Sequence, residues 1–315
     1  MPIRQRSFGT PPLFVSELAL GTWGLSGEPY GPVTDETADA TIKRAVELGV
    51  TVFDTSDAYG KGAMEERLGR LLEPHVASTY VLTRHGVDRS HEPPRKRFDP
   101  AYLGAALDRS RERLRRECVD LYVLHHPSAE TLAGAELQAF LRELKEKGKV
   151  RAWGVSVGDA GAGRAALEAG AQAVSIAYNV FFANDLHALA DLLVEKKAGV
   201  FAHSVLGYGL LAGMWAAGKT FAEGDHRRER WSARDLRARL HHLAAVRSLL
   251  GGDVLTMRSA ALRYVLSNER VSAAVLGPRN VSQLEQLVRE AGAPPYLEAE
   301  RLGRLPQRLR DVGVA

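Results

Sequence analysis

Val52-Phe53-Asp54-Thr55-Ser56-Asp57-Ala58-Tyr59-Gly60-Lys61-Gly62-Ala63-Met64-Glu65-Glu66 is the stretch whose pattern decides the fold. A short apolar run (Val50, Val52, Phe53) stops at a carboxylate, and a tyrosine follows five positions later. A glycine-broken loop then opens a helix at about Gly62. Buried parallel strands run out into functional loops in this way, hydrophobic to the last residue and then polar. Asp54 is expected at the strand's C-terminal end and Tyr59 on the loop just beyond it. The curl of that loop brings a phenol back beside a carboxylate.

Outward from this stretch, strands and helices alternate. Candidate strands are 18–21, 52–54, 80–83, 121–124, 151–155, 173–177, 200–203 and 273–276. Helical patterns cover 35–48, 63–72, 100–114, 132–147, 164–169, 186–197, 281–290 and 234–265, the last broken at Gly251-Gly252. Eight strands, each followed by helix, predict an α/β chain folded as a (β/α)8 TIM barrel, a single barrel domain over 1–315. The alternation from Ile3 to Phe8, the turn Gly9-Thr10-Pro11-Pro12 and Leu13-Phe14-Val15 predict an N-terminal β-hairpin plugging the barrel's bottom. Residues 296–310 predict a C-terminal extra helix outside it.

Local signals set the ends. Asp99 caps a helix with Pro100 at its first position, and Gly49 and Gly199 close helices before the next strand. Gly158, Gly161 and Gly163 stand in the wrong order for a Rossmann fingerprint and predict a flexible βα loop. The long connection from Gly207 to about Ser232 has the length of a functional lid. Its charged run, Asp225 to Arg230, taken alone predicts solvated surface.

At 315 residues with 45% hydrophobic and 25% charged residues, the composition is that of a globular chain with a large core. A single cysteine, Cys118, expected as a small core residue, excludes an internal disulfide and a multi-cysteine metal site. No apolar run is long enough to span a membrane, and the start lacks a signal peptide's apolar core, so a cytoplasmic location is expected. A net charge of +4 suits an anionic cofactor but is too weak to argue for nucleic acid. His125 and His126 are adjacent on a strand and should face opposite ways, a poor chelating pair, so no metal is expected.

The opening stretch resembles the aldo-keto reductase signature, and the resemblance extends over roughly 13–290. Leu18 to Trp23 is similar to the family's first strand and cofactor-facing turn, and Asp120 to His125 to its fourth strand. Gly154-Val155-Ser156, Gly209 to Gly213 and Leu276 to Gln283 follow in family order. The resemblance implies reduction of a small-molecule carbonyl substrate, an aldehyde or ketone, by hydride from NADP(H). Tyr59 is then the proton donor, Asp54 its buried partner and His125 the polarising group. The family lysine is replaced by Arg84, which keeps the charge in a bulkier, planar form.

The same resemblance assigns the cofactor to Gly21, Thr22, Trp23, Ser156, Ser175, His203, Ser204, Leu206, Gly277, Arg279 and Gln283. Ser175 stands for a glutamine, His203 for a stacking aromatic and Val157 for an asparagine, which implies weakened binding. Asn280 with Gln283 three residues on forms a helix start suited to phosphate, and Arg279 suits a 2′-phosphate, favouring NADPH over NADH. Trp23, Tyr30 and His126 are candidate walls of the substrate pocket. A second reading is a barrel that kept its fold and changed its job. It would be a binding or regulatory subunit like the reductase-like β subunits of potassium channels, or a non-redox enzyme.

Overall fold

Eight parallel strands close into a barrel in chain order. They are β1 (Leu18–Gly21), β2 (Val52–Ser56), β3 (Tyr80–His85), β4 (Val119–His125), β5 (Val150–Val157), β6 (Ala173–Ala177), β7 (Gly199–His203) and β8 (Ala273–Leu276). β8 pairs back onto β1, matching Val275 to Ala19. The computed structural model describes residues 3–314. It has the predicted (β/α)8 architecture, with a hairpin of Gln5–Phe8 and Leu13–Ser16 before the barrel and a helix Ala299–Asp311 after it.

The period-two alternation of strand side chains divides the core. Leu18, Leu20, Phe53, Val81, Tyr122, Leu124 and Val155 pack outward against the helices. Ala19, Val52, Leu82, Val123, Ala152, Ala173, Phe201 and Val275 form a separate inner layer with Phe8 and Val15 of the hairpin. The hairpin therefore stoppers the barrel as expected, with the Phe8 and Phe201 rings edge to face at 5.5 Å. Gly199 does not close a helix. It opens β7, where a Cβ would lie 2.6 Å from the Phe8 ring, and the left-handed residue ending the preceding helix is Lys197.

Asp99 caps the helix Pro100–Leu114, its Oδ1 accepting from the Tyr102 N–H at 2.9 Å. Gly49, with φ of 88°, ends the segment after Asp35–Glu47. Two predicted helices are each divided, into Ala129–Ala133 and Ala135–Glu146 and into Asn184–Ala188 and Ala190–Glu195. Gly161 and Gly163 lie in the helix Ala160–Glu168, not in a flexible loop, because Asp159 caps it and a bare Gly163 admits Leu189. Cys118 is half-buried rather than in the core. Among the described residues no helix is long and apolar enough to cross a membrane.

The helix Ala63–Leu72, which carries the chain away from the Tyr59 loop, crosses Pro100–Leu114 at Gly69. A Cβ on Gly69 would lie 2.0 Å from the Arg113 carbonyl oxygen. Gly69→Ala should destabilise the protein by about 2 kcal/mol, because overpacking exceeds the gain in helix propensity. Urea unfolding checks this; a variant as stable as the parent would show that the two helices separate without cost.

Candidate active site

The inner layer ends at the C-terminal mouth of the barrel, and the next inward residue on each strand is polar or glycine. Asp54 follows Val52, Arg84 follows Leu82, His125 follows Val123, Ser175 follows Ala173 and His203 follows Phe201. Ser156 keeps the same parity on β5, Gly21 follows Ala19, and Gly277 follows Val275 just past β8. Eight separated positions thus face one space for a single geometric reason.

Asp54 and Arg84 are 3% and 4% exposed. One Arg84 guanidinium nitrogen donates to Asp54 Oδ1, and the other reaches across the barrel to Ser175 Oγ at 2.9 Å. Burial raises the Asp54 carboxyl pKa and Arg84 opposes it. Burial acts against the Arg84 charge, but Asp54 and Tyr59 outweigh it and raise its pKa. Asp54 Oδ2 is buried without a partner. The two departures seen in the sequence, Arg84 and Ser175, are one arrangement in space: the long cation is accepted opposite a small hydroxyl.

Tyr59 is brought back by a turn in which Gly60, Lys61 and Gly62 all have positive φ. Burial pushes its phenol up to about 12, and the Arg84 charge pulls the other way. Thr22 is consumed structurally: its N–H and Oγ1 both donate to the Asp54 carbonyl, at 2.9 and 3.0 Å. Arg89, which the sequence did not single out, holds the Ala58 carbonyl at 2.5 Å and pairs with Glu28.

His125 and His126 do not face opposite ways. His126 has φ of 57°, which ends the strand alternation and brings the two rings to 5.3 Å. That left-handed backbone costs about 1–2 kcal/mol in a non-glycine residue and holds both imidazoles at the mouth. His126 Nε2 lies 3.5 Å from Ser156 Oγ, and His203 Nδ1 lies 3.1 Å from Ser204 Oγ. His125 Nδ1 and His203 Nε2 are buried without partners. Burial, reinforced by Arg84, lowers His125 to about 2, His126 to about 4 and His203 to about 3. All three are neutral hydrogen-bonding rings at physiological pH. Among the described residues no group of three or more His, Cys, Asp or Glu is placed to hold a metal ion.

The long connection after β7 lies over the mouth. The His226 ring packs 5.0 Å from Trp23, 4.8 Å from Tyr30 and 5.4 Å from Tyr208, and the His226 backbone N–H donates to the Pro29 carbonyl. The charged run is not plain solvated surface, since Asp225 is buried and paired with Arg227, whose guanidinium lies over Tyr30. Leu206 is half-buried where this connection starts.

Beyond β8, Asn280 caps Val281–Ala291, accepting from the Gln283 N–H, while Gln283 Oε1 accepts from the Arg279 N–H. A Cβ on Gly277 would meet nothing within 4 Å, so the space beside this helix start is open. The Arg279 guanidinium donates to the carbonyls of Tyr30, Gly31 and Pro32 at 2.7–3.1 Å. It clamps the loop after β1, a role the sequence alone did not suggest. Lys96, also missed, lies on the short hairpin after β3 and donates from Nζ to the His125 carbonyl at 2.5 Å.

A barrel with this mouth defines a class, and the comparisons agree with it. The sequence pattern of the Aldo/keto reductase family matches residues 17–299, and the chain belongs to that family. It is 28% identical over 282 residues to the NADP(+) aldo-keto reductase yakc of Schizosaccharomyces pombe, covering 86% of this chain and 82% of that one. It is 29% identical to the L-galactose dehydrogenase of Arabidopsis thaliana, over 98% and 93% of the two chains. The holo form of a Bacillus halodurans aldo-keto reductase superposes with a TM-score of 0.81 at 22% identity, over 97% and 96%. At that identity the last likeness concerns the fold.

Removing Arg84 isolates a buried carboxylate, so Arg84→Met should lose about 3–5 kcal/mol at neutral pH. Without the opposing guanidinium, the already raised Asp54 pKa climbs further. The penalty of burying its charge is then present above that pKa and is relieved as pH falls and Asp54 protonates. Urea unfolding at pH 8 and pH 5 should show a smaller deficit at pH 5. A deficit independent of pH would mean that the Asp54 charge is not its source.

Proposed function

We propose that the protein reduces an aldehyde or ketone to an alcohol with NADP(H). The observation that carries this reading is Asp54, Arg84, Tyr59 and His125 assembled at one barrel mouth. The polar lining suits a nicotinamide dinucleotide: His203 Nε2 is a buried ring nitrogen without a partner, and Ser156 faces the same mouth from β5. Open space at Gly277 beside the Val281–Ala291 N-terminus suits phosphate, whose charge the helix end favours. When bound, the dinucleotide supplies the hydride.

The protein's own part is to position the carbonyl and manage one proton. Neutral His125 donates an N–H toward the carbonyl oxygen, polarising it without giving up a proton. Tyr59 transfers its phenolic proton to that oxygen as negative charge builds on it. Arg84, fixed between Asp54 and Ser175, stabilises the phenolate that remains. Preference for NADPH over NADH rests on Arg279, which must exchange carbonyl partners for a 2′-phosphate. The second reading, a barrel that no longer performs redox chemistry, draws support from that same commitment of Arg279 and from Arg84 in place of lysine.

Titration with NADPH, followed by fluorescence, separates the two: the reductase reading requires saturable binding, with Kd lower than for NADH. Equal affinities would leave Arg279 a loop clamp only. Tyr59→Phe should abolish carbonyl reduction and change the NADPH Kd less than threefold. Residual turnover within a few-fold of the parent would make another group the acid.

The pH dependence follows from the raised phenol. At pH 7 Tyr59 is protonated and reduction proceeds, whereas alcohol oxidation needs the phenolate, which accumulates only toward pH 12. The oxidation rate should rise tenfold per pH unit through pH 10 without levelling. A plateau beginning below pH 9 would assign the base to a different residue.

A further inference from the structure

We propose that the carbonyl substrate carries an anionic group, a carboxylate in its simplest form, held by Lys96 and His126. The inference rests on the reductase reading and names its substrate class. Lys96 is supplied by the two-stranded hairpin of Val87–Asp88 and Arg95–Lys96, which follows β3 directly. Its Nζ reaches the His125 carbonyl at 2.5 Å, which places an ammonium at the lip of the mouth. No carboxylate forms an ion pair with it among the described residues. Of the neighbouring charges, Asp88 binds Ser90 and Arg97, Arg97 also binds Asp99, and Arg95 beside Lys96 is exposed.

Three further observations converge on the same spot. The left-handed backbone of His126 turns its ring to the side of His125, the residue whose backbone carbonyl holds the ammonium. Ser156 Oγ lies 3.5 Å from His126 Nε2; with the hydroxyl donating there, Nδ1 is the N–H of the neutral ring. Gly158 borders that nitrogen without a side chain; a Cβ built on it would lie 4.0 Å from Nδ1, in ordinary contact. The Lys96 charge is felt by both rings and helps to keep them neutral, and partial burial lowers its own pKa. Lys96, on the His125 carbonyl, and His126, the next residue in the chain, share one lip of the mouth, and Asp54 on the inner wall is committed to Arg84, so the two make a receptor for an anion. A neutral substrate would leave the Lys96 ammonium with only the His125 carbonyl and water as partners.

The test compares 4-carboxybenzaldehyde with its methyl ester, two aldehydes of similar size that differ in charge. With NADPH, the parent should show a KM about tenfold lower for the acid, the discrimination expected of one charge-assisted contact. The ratio of the two KM values should collapse toward one in Lys96→Gln and be restored in Lys96→Arg, and salt should raise KM for the acid alone. Calorimetric titration of both compounds without cofactor gives the same comparison independently of turnover. If neither aldehyde is reduced but the acid binds more tightly and Lys96→Gln removes the difference, the anion site stands and the reductase reading falls. If both are reduced with equal KM, or Lys96→Gln leaves the ratio unchanged, the anion site falls and the reductase reading stands.

Discussion

The mouth of this barrel depends on the ion pair between Asp54 and Arg84. Two charges removed from water cost several kcal/mol each, and the interior returns that only where geometry is fixed and the remaining donors are used. Here one guanidinium nitrogen takes Asp54 and the other takes Ser175 from the far wall of the barrel. The Asp54 backbone is held in turn by two donors from Thr22. The pair also sets the electrostatics of every other group around it. The Arg84 charge lowers His125, His126 and His203 and opposes the rise of Tyr59 that burial causes. Burial keeps the imidazoles neutral, the guanidinium adds to that effect, and on the phenol it acts against burial.

Much of this was legible in the sequence because a parallel barrel writes itself as continuous apolar runs at regular spacing. The runs ending at Gly21, Asp54 and His125 were recognisable, and the family resemblance supplied Arg84, Ser156, Ser175 and His203, which strand parity puts on the same inner wall in the structure. What escaped depended on backbone angles or on partners far along the chain. His126 obeys strand parity in the sequence and breaks it through one positive φ. Arg84 and Ser175 stand 91 positions apart, and nothing local shows that one replacement accommodates the other. Gly199 has the sequence signature of a helix end, yet its lack of a side chain serves a phenylalanine from the N-terminal hairpin.

Arg279 shows how a correct residue type can mislead about its task. An arginine beside a helix N-terminus suits phosphate, but its donors are turned to carbonyls nearly 250 positions earlier in the chain. The same loop is gripped from two other sides. The His226 backbone N–H takes the Pro29 carbonyl, and Glu28 pairs with Arg89. The segment from Glu28 to Pro32 thus joins the loops after β2 and β3, the lid after β7 and the loop after β8. Trp23 and Tyr30 are held in place by that joint, with His226 closing against both rings.

The way charges are shared out around the mouth limits what it can recognise. Arg84 is committed to Asp54 and Ser175, Arg89 to Glu28, Arg227 to Asp225 and Arg279 to carbonyl oxygens. These cations hold the protein together, and drawing any of them toward a ligand breaks an existing bond. Recognition therefore falls to groups whose hydrogen-bonding capacity is not exhausted: neutral imidazoles, the open helix start at Gly277 and the Lys96 ammonium. An imidazole N–H polarises a carbonyl without ionising, a helix start holds phosphate, and an ammonium holds a carboxylate. On the proposed reading, the division gives each part of a ternary complex its own chemistry. The Arg84 guanidinium itself is anchored at two points, Asp54 and Ser175, so neither the imidazoles nor Lys96 has to anchor it.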